Sequence, residues 1–153
     1  MIGFLGGAVA VIAVLLAVRS RLIVLTVRGE SMLPALDDGD RLLVVRYKRL
    51  ARRGSIVAVR TAGLPEGERV DLGDDRVDLM VKRVVAAGGL PWPGRPGEVV
   101  PAGHLYLLGD SDRSLDSRTW GPVPRDRVVG GVVGRWRPRP VRAVTSITEG
   151  GDR

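Results

Sequence analysis

The N-terminal segment of the chain is apolar without interruption. Residues Ile2 to Val18 contain no charged side chain, and Arg19-Ser20-Arg21 follows directly. A stretch of this length lies at the short end of what spans a bilayer. A buried core helix would show a polar face, and a cleaved secretory signal would carry a basic N-terminal region and a small-residue cleavage site. The pattern therefore predicts a transmembrane anchor over residues 1–20.

After this segment, short hydrophobic runs alternate with turn-forming residues, which is typical of β strands. Six strands are predicted, several rich in β-branched side chains: Leu22–Val27, Arg41–Val45, Ser55–Val59, Val77–Ala87, Leu105–Leu108 and Val128–Val133. Residues 63–75 are polar with Pro and Gly and are predicted to form a loop, and residues 138–153 a disordered tail. We expect a mainly β fold, with one N-terminal transmembrane helix followed by a small antiparallel β domain over residues 21–137.

Composition narrows the chemistry that this domain can perform. The 21 Gly and 10 Pro favour short strands and turns over a helical bundle. The absence of cysteine excludes disulfides, thiolate metal sites and a cysteine nucleophile, and the single histidine, His104, argues against a histidine metal site. We expect no metal and no other cofactor. The net charge of +7 comes almost entirely from arginine, which stays protonated, so Lys48 and Lys82 are the two candidate amine bases.

A candidate nucleophile follows the first predicted strand. Ser31 lies in the segment Gly29-Glu-Ser-Met-Leu-Pro34, where a glycine two positions earlier lets the backbone bend sharply. A serine on such a turn can expose its hydroxyl while its own N–H points at a developing oxyanion. Turns of this kind usually only connect strands, so the motif alone is weak.

The two lysines lie in contrasting surroundings. Lys48 belongs to the basic run Arg46-Tyr-Lys-Arg49, which is most simply a solvated surface, whereas Lys82 interrupts an apolar strand, Leu79-Met-Val-Lys-Arg-Val-Val85. Burial disfavours the ammonium form and lowers a lysine pKa from its reference of about 10.4, so a buried lysine can act as a base for a serine hydroxyl. A lysine at a strand edge whose amine reaches solvent is the competing interpretation. His104 lies in an apparent turn without an obvious acidic partner.

A third polar segment runs from Gly109 to Pro124. It is dense in short polar side chains, and Asp116 and Arg118 have the spacing of an ion pair that could brace a loop. Ser114 offers a hydroxyl that could orient a neighbouring amine. A surface loop with incidental charges is the alternative.

Together the three segments resemble the conserved boxes of the type I signal peptidase family, in the same order and spacing and directly after an anchor helix. The similarity covers roughly Val18 to Trp136, and three motifs carry it: Ser31-Met-Leu-Pro34 with Gly39-Asp40, Lys82-Arg-Val-Val85, and Gly109-Asp110 through Asp116-Ser-Arg118 to Trp120-Gly-Pro-Val-Pro124. The family has a β catalytic domain and uses a serine–lysine dyad.

The resemblance implies a role for each matching residue. Ser31 would be the acylating nucleophile, with its backbone N–H in the oxyanion hole and Met32 beside it in the same box. Lys82 would be the general base, Ser114 would hold its amine, and Asp116 and Arg118 would form a supporting salt bridge. The substrate would be the leader peptide of an exported preprotein, bound as an added strand. The other implied partner is the lipid bilayer, and no nucleic acid is expected.

The segments also depart from the family pattern. Gly29 stands where some members have a serine that gives a second oxyanion donor, Ser111 stands where asparagine is frequent, and the final box is one residue shorter than a common form. These departures concern specificity and positioning more than the dyad.

Alternatives remain open at this stage. A dedicated maturation protease of the same family, such as those that process nickel superoxide dismutase, would suit the small size and altered boxes. Self-cleaving repressors of the SOS type share the chemistry but carry a DNA-binding domain where this chain has an apolar helix. A non-catalytic, membrane-tethered β module that binds lipid headgroups or nucleic acid is the third alternative.

The resemblance to the family predicts a single-pass protein of the bacterial plasma membrane with its catalytic domain on the outer face. The arginines at the end of the helix, in contrast, favour a catalytic domain on the cytoplasmic side.

Overall fold

A computed structural model describes residues 2–61 and 79–137 of the chain, with side chains for residues 9, 11–61 and 79–137. The predicted loop over residues 63–75, the predicted tail over residues 138–153 and the first two residues of the strand predicted at Val77 lie outside the described residues. The described part consists of an N-terminal helix followed by an antiparallel β sheet, which confirms the mainly β fold.

The elements in chain order are α1 (Ile2–Arg19), β1 (Leu22–Thr26), β2 (Arg41–Val45), β3 (Ile56–Arg60), β4 (Leu79–Ala87), β5 (His104–Leu108), α2 (Ser117–Trp120), β6 (Val123–Pro124) and β7 (Val128–Trp136), with short 3-10 helices at Lys48–Leu50 and Arg125–Arg127. All six predicted strands are present to within a few residues. Besides the two 3-10 helices, two elements were missed: α2 and β6 lie in the segment that was expected to be a loop. Both are very short, and four or two residues carry too little periodicity to reveal an element.

Helix α1 contains the apolar run of the N-terminal segment. Its described side chains from Val9 to Val18 are exposed at every position, with Val9, Leu15 and Val18 retaining 53–63% of their accessible surface. Within the part of the chain that the structure describes, no helix meets the combined length and apolarity required to cross a membrane.

The strands form one seven-stranded sheet in the order β1-β2-β7-β3-β4-β5-β6. Every pairing is antiparallel. The last strand, β7, is inserted between β2 and β3, so the sheet is completed only when the C-terminal part of the domain folds into its centre.

Apolar side chains cover both faces of the central strands. In β3, Ala58 belongs to a core cluster with Leu25 and Leu42, whereas its neighbours Val57 and Val59 belong to a second cluster with Met80, Val84 and Leu107. Successive side chains of a strand point to opposite faces, so β3 and its neighbour β4 are buried on both sides. A polar side chain on β4 must therefore find its hydrogen bonds inside the protein.

Candidate active site

Ser31 lies on the turn that connects β1 to β2. Gly29 adopts a φ of 87°, which favours glycine, and its N–H donates to Asp38 Oδ1 at 2.9 Å. The Leu33 N–H donates to the carbonyl of Glu30 at 3.1 Å, which closes the turn around Ser31. Met32 is 1% exposed and packs in the core, so the side chain next to Ser31 holds the turn against the sheet. Ser31 itself is half-buried.

The backbone N–H of Ser31 is available to a ligand. Among the described residues it has no hydrogen-bond acceptor. The N–H of Gly29, in contrast, is committed to Asp38. A carbonyl oxygen that approached Ser31 could therefore accept a hydrogen bond from this N–H.

Lys82 lies in the middle of β4 and is 3% exposed. It pairs with Val57 across the sheet, and Met80 and Val84, two positions away on the same face, belong to the second core cluster. Its Nζ donates to Ser114 Oγ at 2.9 Å. The expectation that Lys82 is buried is confirmed.

Ser114 belongs to the polar segment between β5 and α2. Its Oγ donates to the carbonyl of Leu115 at 3.3 Å while accepting from Lys82, and its N–H donates to the carbonyl of Ser111 at 3.2 Å. The hydroxyl is therefore held by bonds on both sides and presents its oxygen to the amine.

Asp116 and Arg118 form the ion pair that their spacing predicted. The Asp116 carboxylate is fully buried and accepts from Arg118 Nε at 2.9 Å and Nη2 at 2.7 Å, as well as from the backbone N–H groups of Arg118 and Gly109, each at 3.0 Å. Burial alone would raise the pKa of Asp116, but these hydrogen bonds and the Arg118 charge hold it below its ordinary value. Asp116 also caps α2, because its side chain accepts from the N–H of Arg118, one of the first-turn donors that have no partner within the helix.

Ser31, Lys82 and Ser114 line one recess of about 170 Å³ together with Glu30, Ser111, Arg113 and Leu115. Within the described residues, no hydrogen bond joins Ser31 to Lys82. In sites without substrate such bonds are often long and form only when the substrate is bound. The three segments singled out in the sequence thus meet in one place, although they are far apart along the chain.

Two residues of the site, Gly109 and Ser111, were noted in the sequence as part of the third motif but were not assigned a role. A Cβ on Gly109 would lie 2.1 Å from Ser114 Oγ and 2.5 Å from the Ser31 carbonyl oxygen, so only glycine lets the two segments come this close. Ser111 donates its N–H to that same Ser31 oxygen at 3.1 Å, and its own carbonyl accepts from Arg118 Nη2 at 3.2 Å. The glycine before Asp110 was visible, but nothing in its local pattern indicates what it would touch.

A second ion pair was also missed. Arg83 donates to Asp110 from Nε at 2.7 Å and from Nη2 at 2.6 Å, and to the Gly54 carbonyl from Nη1 at 2.9 Å. The hydrogen bond with Asp110 raises the pKa of Arg83 above its ordinary value. This bidentate pair joins β4, one residue after Lys82, to the start of the polar segment.

The other candidate bases lie outside the recess. Lys48 is exposed on a 3-10 helix and donates to the carbonyl of Asp126 at 3.0 Å. His104 begins β5, and its Nδ1 lies 3.0 Å from the carbonyl of Ala102. In the described ranges, no three His, Asp or Glu side chains lie close enough together to hold a metal ion.

Two family models match the chain. One, described as signal peptidase, peptidase S26, matches residues 92–137, which contain the polar segment. The other, described as peptidase S24-like, matches residues 4–85, which contain Ser31 and Lys82.

The chain is also similar to several curated proteins. It is 35% identical to signal peptidase I of Bacillus licheniformis over 78% of this chain and 81% of that protein. Mitochondrial inner membrane protease subunit 1 of Schizosaccharomyces pombe is 30% identical over 73% of this chain and 71% of its own length. Thylakoidal processing peptidase 1 of Arabidopsis thaliana is 27% identical over 74% of this chain, and the match spans 41% of that longer protein.

Proposed function

Since the chain belongs to the type I signal peptidase family, a family of serine endopeptidases, we propose that it removes leader peptides from exported preproteins with Ser31 as nucleophile and Lys82 as general base. The observation that carries the dyad is the placement of Lys82. Lys82 is 3% exposed, its amine donates to Ser114 Oγ at 2.9 Å, and it lines the same recess as Ser31.

The proposed chemistry follows from these groups. Ser31 Oγ attacks the scissile carbonyl while Lys82 Nζ takes its proton, because a buried amine is neutral more readily than an exposed one. The Ser31 N–H donates to the oxyanion. Lys82 then returns the proton to the leaving amine, and an ester between Ser31 and the leader peptide remains. A water molecule, deprotonated by Lys82, hydrolyses that ester and regenerates the serine.

The surrounding groups are proposed to hold the dyad in position. Ser114 orients the lysine amine, and the Asp116–Arg118 pair fixes the segment that carries Ser114. Gly29 allows the turn at Ser31, and Met32 anchors that turn in the core.

The proposal includes a membrane anchor formed by α1. The segment from Ile2 to Val18 has no charge, and its length is at the short end of what spans a bilayer. Its apolar side chains from Val11 to Val18 are exposed at successive positions and hence all around the helix, which lipid would cover at little cost. The catalytic domain would then act at the outer face of a bacterial plasma membrane, where exported preproteins emerge.

The decisive experiment is preprotein cleavage by the full chain in detergent, followed by N-terminal sequencing of the product. We expect Ser31→Ala and Lys82→Ala to abolish release of the leader, because each removes a reacting group. Lys48→Ala is the matched control, since it removes the other lysine of the chain and should cleave normally. Cleavage by both dyad variants at the rate of the unaltered protein would rule the dyad out.

The same experiment separates general from dedicated processing. Cleavage of several unrelated preproteins would support a general leader peptidase, whereas cleavage of one precursor alone would support a dedicated maturation protease. Addition of protease to intact cells tests the topology: loss of the catalytic domain supports the outer face, and full protection contradicts it.

A further inference from the structure

Two opposite charges line the recess beside the proposed dyad. Glu30 and Arg113 are both exposed, and both contribute to the walls of the same recess of about 170 Å³ as Ser31 and Lys82. They come from different segments, since Glu30 directly precedes Ser31 and Arg113 directly precedes Ser114. One charge therefore accompanies the nucleophile, and the other accompanies the serine that contacts the base.

The backbones that carry these side chains are fixed. The Glu30 carbonyl accepts from the Leu33 N–H at 3.1 Å, and the Arg113 N–H donates to Ser111 Oγ at 3.4 Å. The Ser111 N–H in turn donates to the Ser31 carbonyl at 3.1 Å, which connects the two segments. Both charged side chains thus start from defined positions and reach into solvent at the recess.

Neither charge has a partner within the part of the chain that the structure describes. Among the described residues, the Glu30 carboxylate and the Arg113 guanidinium form no ion pair and no side-chain hydrogen bond, whereas Arg83 and Arg118 in the same region are each paired with an aspartate. An unpaired charge that lines a binding recess can meet a charge on the ligand without first breaking an internal bond. Its cost of desolvation stays small because the side chain remains partly in water.

We propose that Glu30 and Arg113 select substrates by charge close to the scissile bond: Glu30 favours a basic side chain on the segment that passes Ser31, and Arg113 favours an acidic side chain on the segment that passes Ser114. This inference rests on the proposed function, because it assumes that a peptide crosses the recess. The expected substrates are precursors whose cleavage region carries a basic side chain near Glu30 and an acidic side chain near Arg113.

The expected size of the effect follows from exposure. Ion pairs in contact with solvent change affinity only modestly, so each matched charge should raise kcat/KM by about two- to fivefold at low ionic strength. The preference should fade in high salt, where charges are screened within about 3–4 Å.

The test uses the full chain in detergent and a set of synthetic leader peptides. An uncharged parent peptide is compared with variants that carry a single Lys or a single Glu at each of three positions on either side of the bond. For each charged peptide, kcat/KM is divided by the kcat/KM of the uncharged parent. With the unaltered protein, this ratio should exceed one for Lys at one or more positions and for Glu at other positions. Glu30→Gln should bring the Lys ratio to one, and Arg113→Gln should bring the Glu ratio to one.

Matched controls separate a local contact from the field of a basic protein. Glu98→Gln and Arg46→Gln make the same changes in net charge at exposed positions outside the recess, and both should keep the ratios of the unaltered protein. The double variant Glu30→Arg with Arg113→Glu should invert the preference. The inference would be overturned if the unaltered protein cleaved all peptides with the same kcat/KM. It would also be overturned if the control variants changed the ratios as much as the recess variants do.

A binding measurement keeps this inference separate from the proposed function. Fluorescence anisotropy with labelled peptides and the Ser31→Ala protein reports charge preference without cleavage. If the unaltered protein cleaves none of the peptides but the preference in binding follows Glu30 and Arg113, the function fails and the charge selection stands. If cleavage is normal but no preference exists, the charge selection fails alone.

Discussion

Asp116 and Asp40 are both fully buried carboxylates held by arginines, but their partners come from very different distances along the chain. Asp116 pairs with Arg118, two residues later on the same loop. Asp40 pairs with Arg135 at 2.8 Å and with Arg137 at 3.1 Å, almost a hundred residues later at the end of β7. The first pair organises the segment that carries Ser114, and the second ties the turn after Ser31 to the centre of the sheet.

The pKa values of the two aspartates are lowered by the same kinds of interaction. Burial alone would raise the pKa of Asp40, but the backbone N–H of Asp37 and the guanidinium groups of Arg137 and Arg135 hold it below its ordinary value, as Arg118 and its neighbours do for Asp116. The difference lies in what each pair reaches. Arg118 also donates to the Ser111 carbonyl, and Ser111 donates to Ser31, whereas Arg135 donates to the carbonyl of Ala35, which does not line the recess. We therefore expect the Asp116 region to affect both catalysis and stability, and the Asp40 region to affect mainly stability.

The largest expected effect comes from breaking the close packing around Asp116. Gly109→Ala introduces a Cβ that would overlap Ser114 Oγ and the Ser31 carbonyl, so the segments that carry Ser31 and Ser114 must move away from Gly109. Misplacement of about 1 Å can cost roughly a hundredfold in rate, and we expect a loss of kcat/KM of that order in the preprotein assay. Gly134→Ala is the control, because its Cβ would meet only Leu43 Cβ at an ordinary 3.6 Å. Equal activity of the two variants would contradict the prediction.

Removal of the Asp116 charge is expected to affect both catalysis and stability. Asp116→Asn leaves Arg118 without its charged partner and weakens the bonds to Gly109, so the Ser114 segment loosens. We expect roughly a tenfold fall in kcat and a fall of about 2–3 kcal/mol in the free energy of unfolding in urea. Asp126→Asn, at an exposed position, should change neither quantity. A stable but inactive Asp116→Asn protein would show that the pair serves catalysis alone.

Removal of the Asp40 charge is expected to affect mainly stability. Asp40→Asn leaves Arg135 and Arg137 without a buried partner, but both arginines are partly exposed and regain water. We therefore expect a fall of about 1–2 kcal/mol in the free energy of unfolding, with kcat for the folded protein changed by less than about twofold. If Asp40→Asn lowered kcat as much as Asp116→Asn does, the expectation that the Asp40 region affects mainly stability would be wrong.

The pH dependence of stability should report both aspartates. Because their pKa values are lower in the folded state than the ordinary 3.8, the stability they contribute is present above about pH 3.8 and is lost as pH falls through the folded values. Urea unfolding between about pH 2 and 6 measures the slope. Each single Asn variant should show a shallower loss than the unaltered protein, and the double variant should show the shallowest. A slope unchanged in both single variants would contradict the assignment.

The smallest expected effect comes from a third ion pair, between Arg83 and Asp110. The pair is bidentate, but the Arg83 and Asp110 side chains retain 32% and 17% of their accessible surface, so solvent weakens the interaction. Arg83→Gln should lower the free energy of unfolding by less than about 1 kcal/mol and leave kcat nearly unchanged. A loss of activity comparable to that of Gly109→Ala would show that β4 depends on this pair to position Lys82.

Prediction from the sequence succeeded where the signal is local. The strands were visible as β-branched runs between turns, and the burial of Lys82 followed from the apolar residues on either side of it. The Asp116–Arg118 pair could be predicted because its members are two residues apart. The loop that contains α2 and β6 was the least predictable part, since such short elements are stabilised by the Asp116 cap and by pairing with β5 rather than by their own pattern.

By itself the sequence determined the order of the elements, the mainly β fold and the segments that carry the candidate chemistry, because hydrophobic periodicity and turn residues act over a few positions. The tertiary structure decided which of these segments meet. The position of β7 between β2 and β3 brings Arg135 and Arg137 to Asp40, and the return of the chain after β5 brings Gly109 and Ser111 against Ser31. Such contacts depend on the order of the strands in the sheet. That order is set by the need to bury both faces of the central strands at once, and no short stretch of sequence indicates it.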